Sequence, residues 1–159
     1  MLLAVLGILI EWSSSCKFMH TILIVDDEET DRENIRRILE GKGYTVVEGD
    51  SLEAAMAVFE QHRYSIGLLV ADVSLPGGNG CDLAVALSKQ NSDLRVLFVS
   101  GHVGAEVCQY YGLEVSGEHF LQKPFEAAEL LSKVSQIMDA EASFPKFCAP
   151  RQLRTRNAG

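Results

Sequence analysis

At 159 residues the chain holds enough material for one domain with a real core and too little for two ordinary ones. A formal net charge of -8 argues against a nucleic-acid binder, because affinity for a phosphate backbone comes mainly from Lys and Arg. The four cysteines, Cys16, Cys81, Cys108 and Cys148, form no CxxC pair and have no nearby histidine pattern suited to zinc, so reduced thiols in a cytoplasmic protein are expected.

Residues 1–10 are apolar and the run stops at Glu11, whereas a membrane-spanning helix needs roughly 20 such residues. No Lys or Arg precedes Lys17, so a secretory signal is a poor reading. Residues 1–18 are either an artefact of the start site, with Met19 the true beginning, or a short amphipathic extension that docks a partner.

From Thr21 to Asp139 apolar strand-like runs alternate with helix-like stretches, which favours a parallel sheet covered by helices on both faces. Thr21 to Val25 reads as the first strand. Glu28 to Glu40 then places Ile35, Ile38 and Leu39 at helical spacing before a stop at Gly41-Lys42-Gly43. Tyr44 to Glu48 is the second strand, and Ser51 caps a helix whose inward face carries Leu52, Ala55, Met56 and Phe59. Ile66 to Ala71 is apolar almost throughout, as a strand buried on both faces should be.

The loop Ser74 to Gly80 is dense in turn residues. Cys81 to Lys89 is a third helix, Leu94 to Val99 a fourth strand and Gly104 to Tyr111 a fourth helix. His119 to Gln122 is a short fifth strand, and Glu126 to Met138 a fifth helix that turns Leu130, Leu131, Val134 and Ile137 inward. Residues 140–159 are expected to be a disordered basic tail, since they offer little apolar surface to offset their ordering entropy.

Asp26, Asp27, Asp72, Ser100 and Lys123 each come just after one of these apolar runs. If the runs are parallel neighbours, three carboxylates, a hydroxyl and an ammonium gather at the carboxyl edge of the sheet, where open α/β sheets place their sites. Three carboxylates so close repel one another unless a cation sits among them. Such a set can hold a divalent cation and take up a phosphoryl group. Taken singly, each residue has an ordinary explanation: the paired acids a helix start, Asp72 a turn residue, Ser100 a cap, Lys123 a solvated charge. Those explanations are independent, and needing all of them together favours a site.

Over Met19 to about Asp139 the chain resembles the receiver domain of the two-component response-regulator family. The matching pieces are Ile24-Val25-Asp26-Asp27-Glu28, Val70-Ala71-Asp72 with Leu75-Pro76 and Gly80, Val99-Ser100-Gly101, and Lys123-Pro124-Phe125. The resemblance implies a flavodoxin-like doubly wound (βα)5 sandwich with strand order 2-1-3-4-5. It implies that Asp72 accepts a phosphoryl group from a histidine kinase or a histidine phosphotransfer protein.

The resemblance further implies Mg2+ held by Asp27 and Asp72, by Asp26 directly or through water, and by the carbonyl of Ser74. Ser100 and Lys123 would contact the phosphoryl oxygens, the Lys123-Pro124 bond would be cis, and Ser100 with Phe120 would form the switch. Phe120 stands where many members carry Tyr, and filling the core is its plainer role. The changing face, fourth helix with fifth strand and fifth helix, would meet a target protein or a second copy. Ser74 and His102 lie where the family tunes hydrolysis of the acyl phosphate, although an ordinary exposed loop residue is the plainer reading of His102.

No output domain follows Met138 in this sequence, so a stand-alone receiver or phosphorelay intermediate is expected, and a receiver detached from a hybrid kinase would look the same. A haloacid-dehalogenase-like phosphatase is the alternative, faintly echoed by Asp26-Asp27-Glu28-Glu29-Thr30, although position 28 is Glu and no acidic pair follows a strand after Lys123. A flavin-binding domain of the same topology is a third reading, but this sequence has no hydroxyl-rich phosphate loop after the first strand.

Overall fold

The structure is a computed structural model that describes residues 21–101 and 117–140. The expected N-terminal extension, the fourth helix and the tail beyond Ala140 lie outside the described residues.

In chain order the elements are β1 (Thr21–Val25), α1 (Glu29–Gly41), β2 (Thr45–Gly49), α2 (Leu52–His62), β3 (Ile66–Asp72), β4 (Ser74–Leu75), β5 (Gly78–Asn79), α3 (Gly80–Ser88), β6 (Arg95–Ser100), β7 (Phe120–Gln122) and α4 (Ala127–Asp139). The helix α4 is the fifth of the sequence expectation. Five parallel strands form one sheet in the order β2-β1-β3-β6-β7. With the small β4–β5 hairpin set aside, this is the expected order 2-1-3-4-5.

Side chains on a strand alternate between faces, so a strand covered on both sides is apolar at every position. Leu23, Val25, Leu69, Ala71, Val96 and Phe98 face α2 and α3 in one buried layer, with Phe59, Ala84 and Leu87 from the helices. Ile22, Ile24, Leu68, Val70, Leu97 and Val99 form the opposite layer with Ile35 and Leu39 of α1 and Leu130, Val134 and Ile137 of α4.

Local chemistry sets the ends. Gly43, at φ +97°, adopts the left-handed backbone that ends α1, and the amide of Tyr44 donates to the carbonyl of Leu39. Ser51 caps α2 as expected, its side chain accepting from the Ala54 amide at 3.2 Å.

Two expectations need adjustment. The loop after β3 contains an antiparallel hairpin, Ser74 paired with Asn79 and Leu75 with Gly78, turned by Pro76 and by Gly77 at φ +79°. His119 belongs to a 3-10 turn, Gly117–His119, and β7 begins at Phe120. That turn is fastened where a ring nitrogen of His119 lies 2.9 Å from the Val96 carbonyl and where Lys133 donates to the carbonyl of Gly117.

Candidate functional site

The sheet register brings the strand ends together. Val25 pairs with Ala71, Asp72 with Val99, and Ser100 with Gln122. Asp26, Asp72, Ser100 and Lys123 therefore sit side by side on one edge. The amide of Lys123 donates to the carbonyl of Ser100 at 2.8 Å, and the Lys123-Pro124 bond is cis, as the resemblance implies.

The Lys123 ammonium is the hub. Its Nζ lies 2.6 Å from Oδ2 of Asp26, 2.7 Å from Oδ2 of Asp31 and 2.9 Å from Oδ2 of Asp72. Asp26 is buried, Asp72 half-buried and Asp27 exposed, so the cluster grades from the core to solvent. Asp26 and Asp72 each also have a fixed neighbour on the other side. Oδ1 of Asp26 accepts from the Glu28 amide at 2.9 Å, and Oδ1 of Asp72 accepts from the Ser74 amide at 2.7 Å.

Burial disfavours charge, and it raises the Asp26 carboxyl above its ordinary range, with hydrogen bonds from Lys123 and the Glu28 amide opposing that rise. For Lys123 burial pulls the other way, toward the neutral amine, but the bonds to Asp26, Asp31 and Asp72 outweigh it and the ammonium is held well above its ordinary value.

Asp26, Asp27 and Asp72 can each present one oxygen so that all lie within 4.8 Å of one another. Three hard oxygen donors at that spacing fit Mg2+, which takes one or two carboxylates directly and keeps several waters. An open depression of about 350 Å3 adjoins them, lined by Asp27, Val73, Ser74, Leu75, Pro76, Gly78 and Asn79.

The expected site residues are accordingly neighbours in the fold. Ser100 is buried at the end of β6. Phe120 is half-buried and packs against the layer containing Phe98, its cross-strand partner.

Three residues that the sequence does not single out complete the surroundings. Asp31, in the first turn of α1, binds Lys123. Arg32 donates to the backbone carbonyl of Asp26 at 2.8 Å and pairs with Glu48 of β2 at 3.4 Å. An acid and a base at positions 5 and 6 after Asp26 are an ordinary way to begin a helix, which hides their role. One helical turn does bring such positions back beside the strand end, and that spacing is the signal that could have found them.

The family profile described as "Response regulator receiver domain" matches residues 22–135. The chain is 35% identical over 118 residues to the aerobic respiration control protein ArcA of Escherichia coli (strain K12), a match that covers 74% of this chain and 48% of that protein. It is 32% identical over 122 residues to the sensor kinase CckA of Brucella abortus (strain 2308), covering 76% of this chain and 13% of the kinase. A solved receiver domain protein from Clostridium thermocellum superimposes with a TM-score of 0.67 at 25% identity, covering 74% of this chain and 93% of the other.

This chain belongs to the response regulator receiver domain family, the signalling domains of two-component systems. It spans about half the length of the first curated relatives it matches. The matches lend no support to a haloacid-dehalogenase-like phosphatase. Among the described residues, no helix is long and apolar enough to cross a membrane.

Proposed function

We propose that this receiver takes a phosphoryl group onto Asp72 from a phosphohistidine on a sensor histidine kinase or a histidine phosphotransfer protein, and passes the signal on by protein contact. The observation that carries the reading is the convergence of the Lys123 ammonium with Asp26 and Asp72 beside a three-carboxylate cluster. A carboxylate oxygen of Asp72 attacks phosphorus as the donor's P–N bond breaks, and the bond's electron pair stays on the imidazole nitrogen. The product is an acyl phosphate on Asp72.

Asp26, Asp27 and Asp72, with the carbonyl of Ser74, would hold Mg2+, which when bound offsets charge on the phosphoryl oxygens. Lys123 supplies a fixed ammonium to another of those oxygens, and the Ser100 hydroxyl donates to a third. The domain accepts one group per cycle and is not a turnover enzyme.

A phosphoryl group brings about two negative charges and strong acceptors, so it draws Ser100 toward Asp72. Phe120, half-buried one strand away, turns inward as Ser100 moves. The face that responds includes β7 and α4 and meets a target protein or a second copy. The setting is cytoplasmic, where kinases supply phosphohistidine.

Intact mass spectrometry after incubation with Mg2+ and acetyl phosphate tests the reading. The expected result is a gain of one phosphoryl mass that requires Mg2+ and disappears in Asp72→Asn. No gain in the wild type overturns it, and continuous release of free phosphate would return the phosphatase alternative.

A further inference from the structure

Lys123 has one carboxylate partner that stands apart from the metal-competent cluster. Asp26, Asp27 and Asp72 are the set whose oxygens come within 4.8 Å of one another among the described residues, and Asp31 is not in it. Yet Oδ2 of Asp31 lies 2.7 Å from the Lys123 ammonium, between the 2.6 Å contact to Asp26 and the 2.9 Å contact to Asp72. The Asp31 side chain is 44% exposed, against 1% for Asp26 and 13% for Asp72.

Asp26 and Asp72 face a conflict of charge. The same Oδ2 atoms that hold the ammonium belong to the carboxylates suited to a divalent cation, and two cations a few ångströms apart repel. An ammonium with only those two partners resists the cation and, once displaced, drifts into solvent. A carboxylate at the mouth of the site, fixed on the first turn of α1, removes the conflict.

Resting on the phosphoacceptor reading above, we propose that Asp31 is a positioning residue for Lys123, keeping the ammonium beside the site when Asp26 and Asp72 are given over to a divalent cation. Asp31 thereby favours cation binding through Lys123, and it leaves the ammonium within reach of an incoming phosphoryl oxygen. A rival account makes Asp31 one more negative charge attracting the cation directly. The two differ in whether Lys123 is required.

Isothermal titration calorimetry with MgCl2 on the full chain separates them, using wild type, Asp31→Asn, Asp31→Glu, Lys123→Met and the double variant Asp31→Asn/Lys123→Met. Asp31→Asn is expected to weaken Mg2+ binding about two- to fivefold, the upper range of a partly exposed ion pair. Asp31→Glu should restore affinity to within about twofold, and Asp31→Asn in the Lys123→Met background should change it less than about twofold. If Lys123→Met does not fold, Lys123→Gln takes its place in the cycle.

An undiminished effect of Asp31→Asn without Lys123 overturns the proposal in favour of direct attraction, and no effect in the wild-type background overturns it outright. Intact mass after acetyl phosphate treatment, run on the same samples, keeps the two readings apart. A wild type that binds Mg2+ and is phosphorylated on Asp72, with Asp31→Asn unchanged in affinity, sinks this inference alone. A wild type that neither binds Mg2+ nor gains mass sinks both.

Discussion

The Lys123 ammonium and the Asp26 carboxylate, 97 residues apart in sequence, meet at 2.6 Å, and the Asp26 side chain is 1% exposed. A buried carboxylate that loses its cation is left uncompensated, which costs about 3–5 kcal/mol for a fully buried pair. Lys123→Met should fall below that range, because the site opens to water, and should lower the melting temperature in the absence of metal. Millimolar Mg2+ should recover more of the loss in Lys123→Met than it adds to wild type. Calorimetric melts with and without Mg2+ check this, and equal Mg2+ effects in both proteins would contradict it.

Asn79 closes the hairpin loop and caps α3. Its Oδ1 accepts from the Asp82 amide at 2.8 Å and its Nδ2 donates to the Asp82 carboxylate at 2.8 Å. Asn79→Ala removes both, and a lost N-cap costs about 1 kcal/mol. Urea unfolding should show that decrease with an unchanged slope, whereas a midpoint equal to wild type would show the cap to be dispensable.

Gly80 lies against the backbone of the acceptor strand. A Cβ there would stand 2.2 Å from the Asp72 carbonyl oxygen and 3.3 Å from Cβ of Ala71, so backbone must shift to admit it. Gly80→Ala should destabilise by about 1–3 kcal/mol, as overpacking does. It should also slow phosphorylation by acetyl phosphate, since the displaced atoms belong to Asp72. A stable variant with wild-type kinetics would refute the close packing.

Tyr44, half-buried before β2, has its phenol raised above the ordinary value of 10.0, first by burial and then by the charge of Asp139. The tyrosinate is the penalised form, so the folded state holds the proton more tightly than the unfolded one. Stability is full below pH 10 and is lost as pH rises from there through the folded value. Against Tyr44→Phe, the difference in unfolding free energy should be flat up to about pH 10 and turn against wild type above it. A flat difference throughout would exclude the shift.

Much of this was legible because strand ends carry the chemistry. Thr21 to Val25 is a strand where its apolar run says it should be, and the residues following or ending such runs, Asp26, Asp72, Ser100 and Lys123, are neighbours through register alone. The hairpin Ser74–Asn79 was hidden because Pro-Gly-rich segments read as turns whether or not their flanks pair. Asp31 and Arg32 were hidden for a different reason. Charged residues in a first helical turn satisfy the helix dipole by themselves, and only the position of Lys123 reveals the other use.

The hairpin is also braced from a distance. A Cβ on Gly78 would come 2.5 Å from Cδ1 of Leu52, the first residue of α2, so the tip of the loop that carries Ser74 rests on another helix. That contact works as a strut. The wall on one side of the acceptor aspartate therefore leans on a leucine of a different helix, and substitutions at Leu52 are expected to retune the site without touching any of its polar atoms.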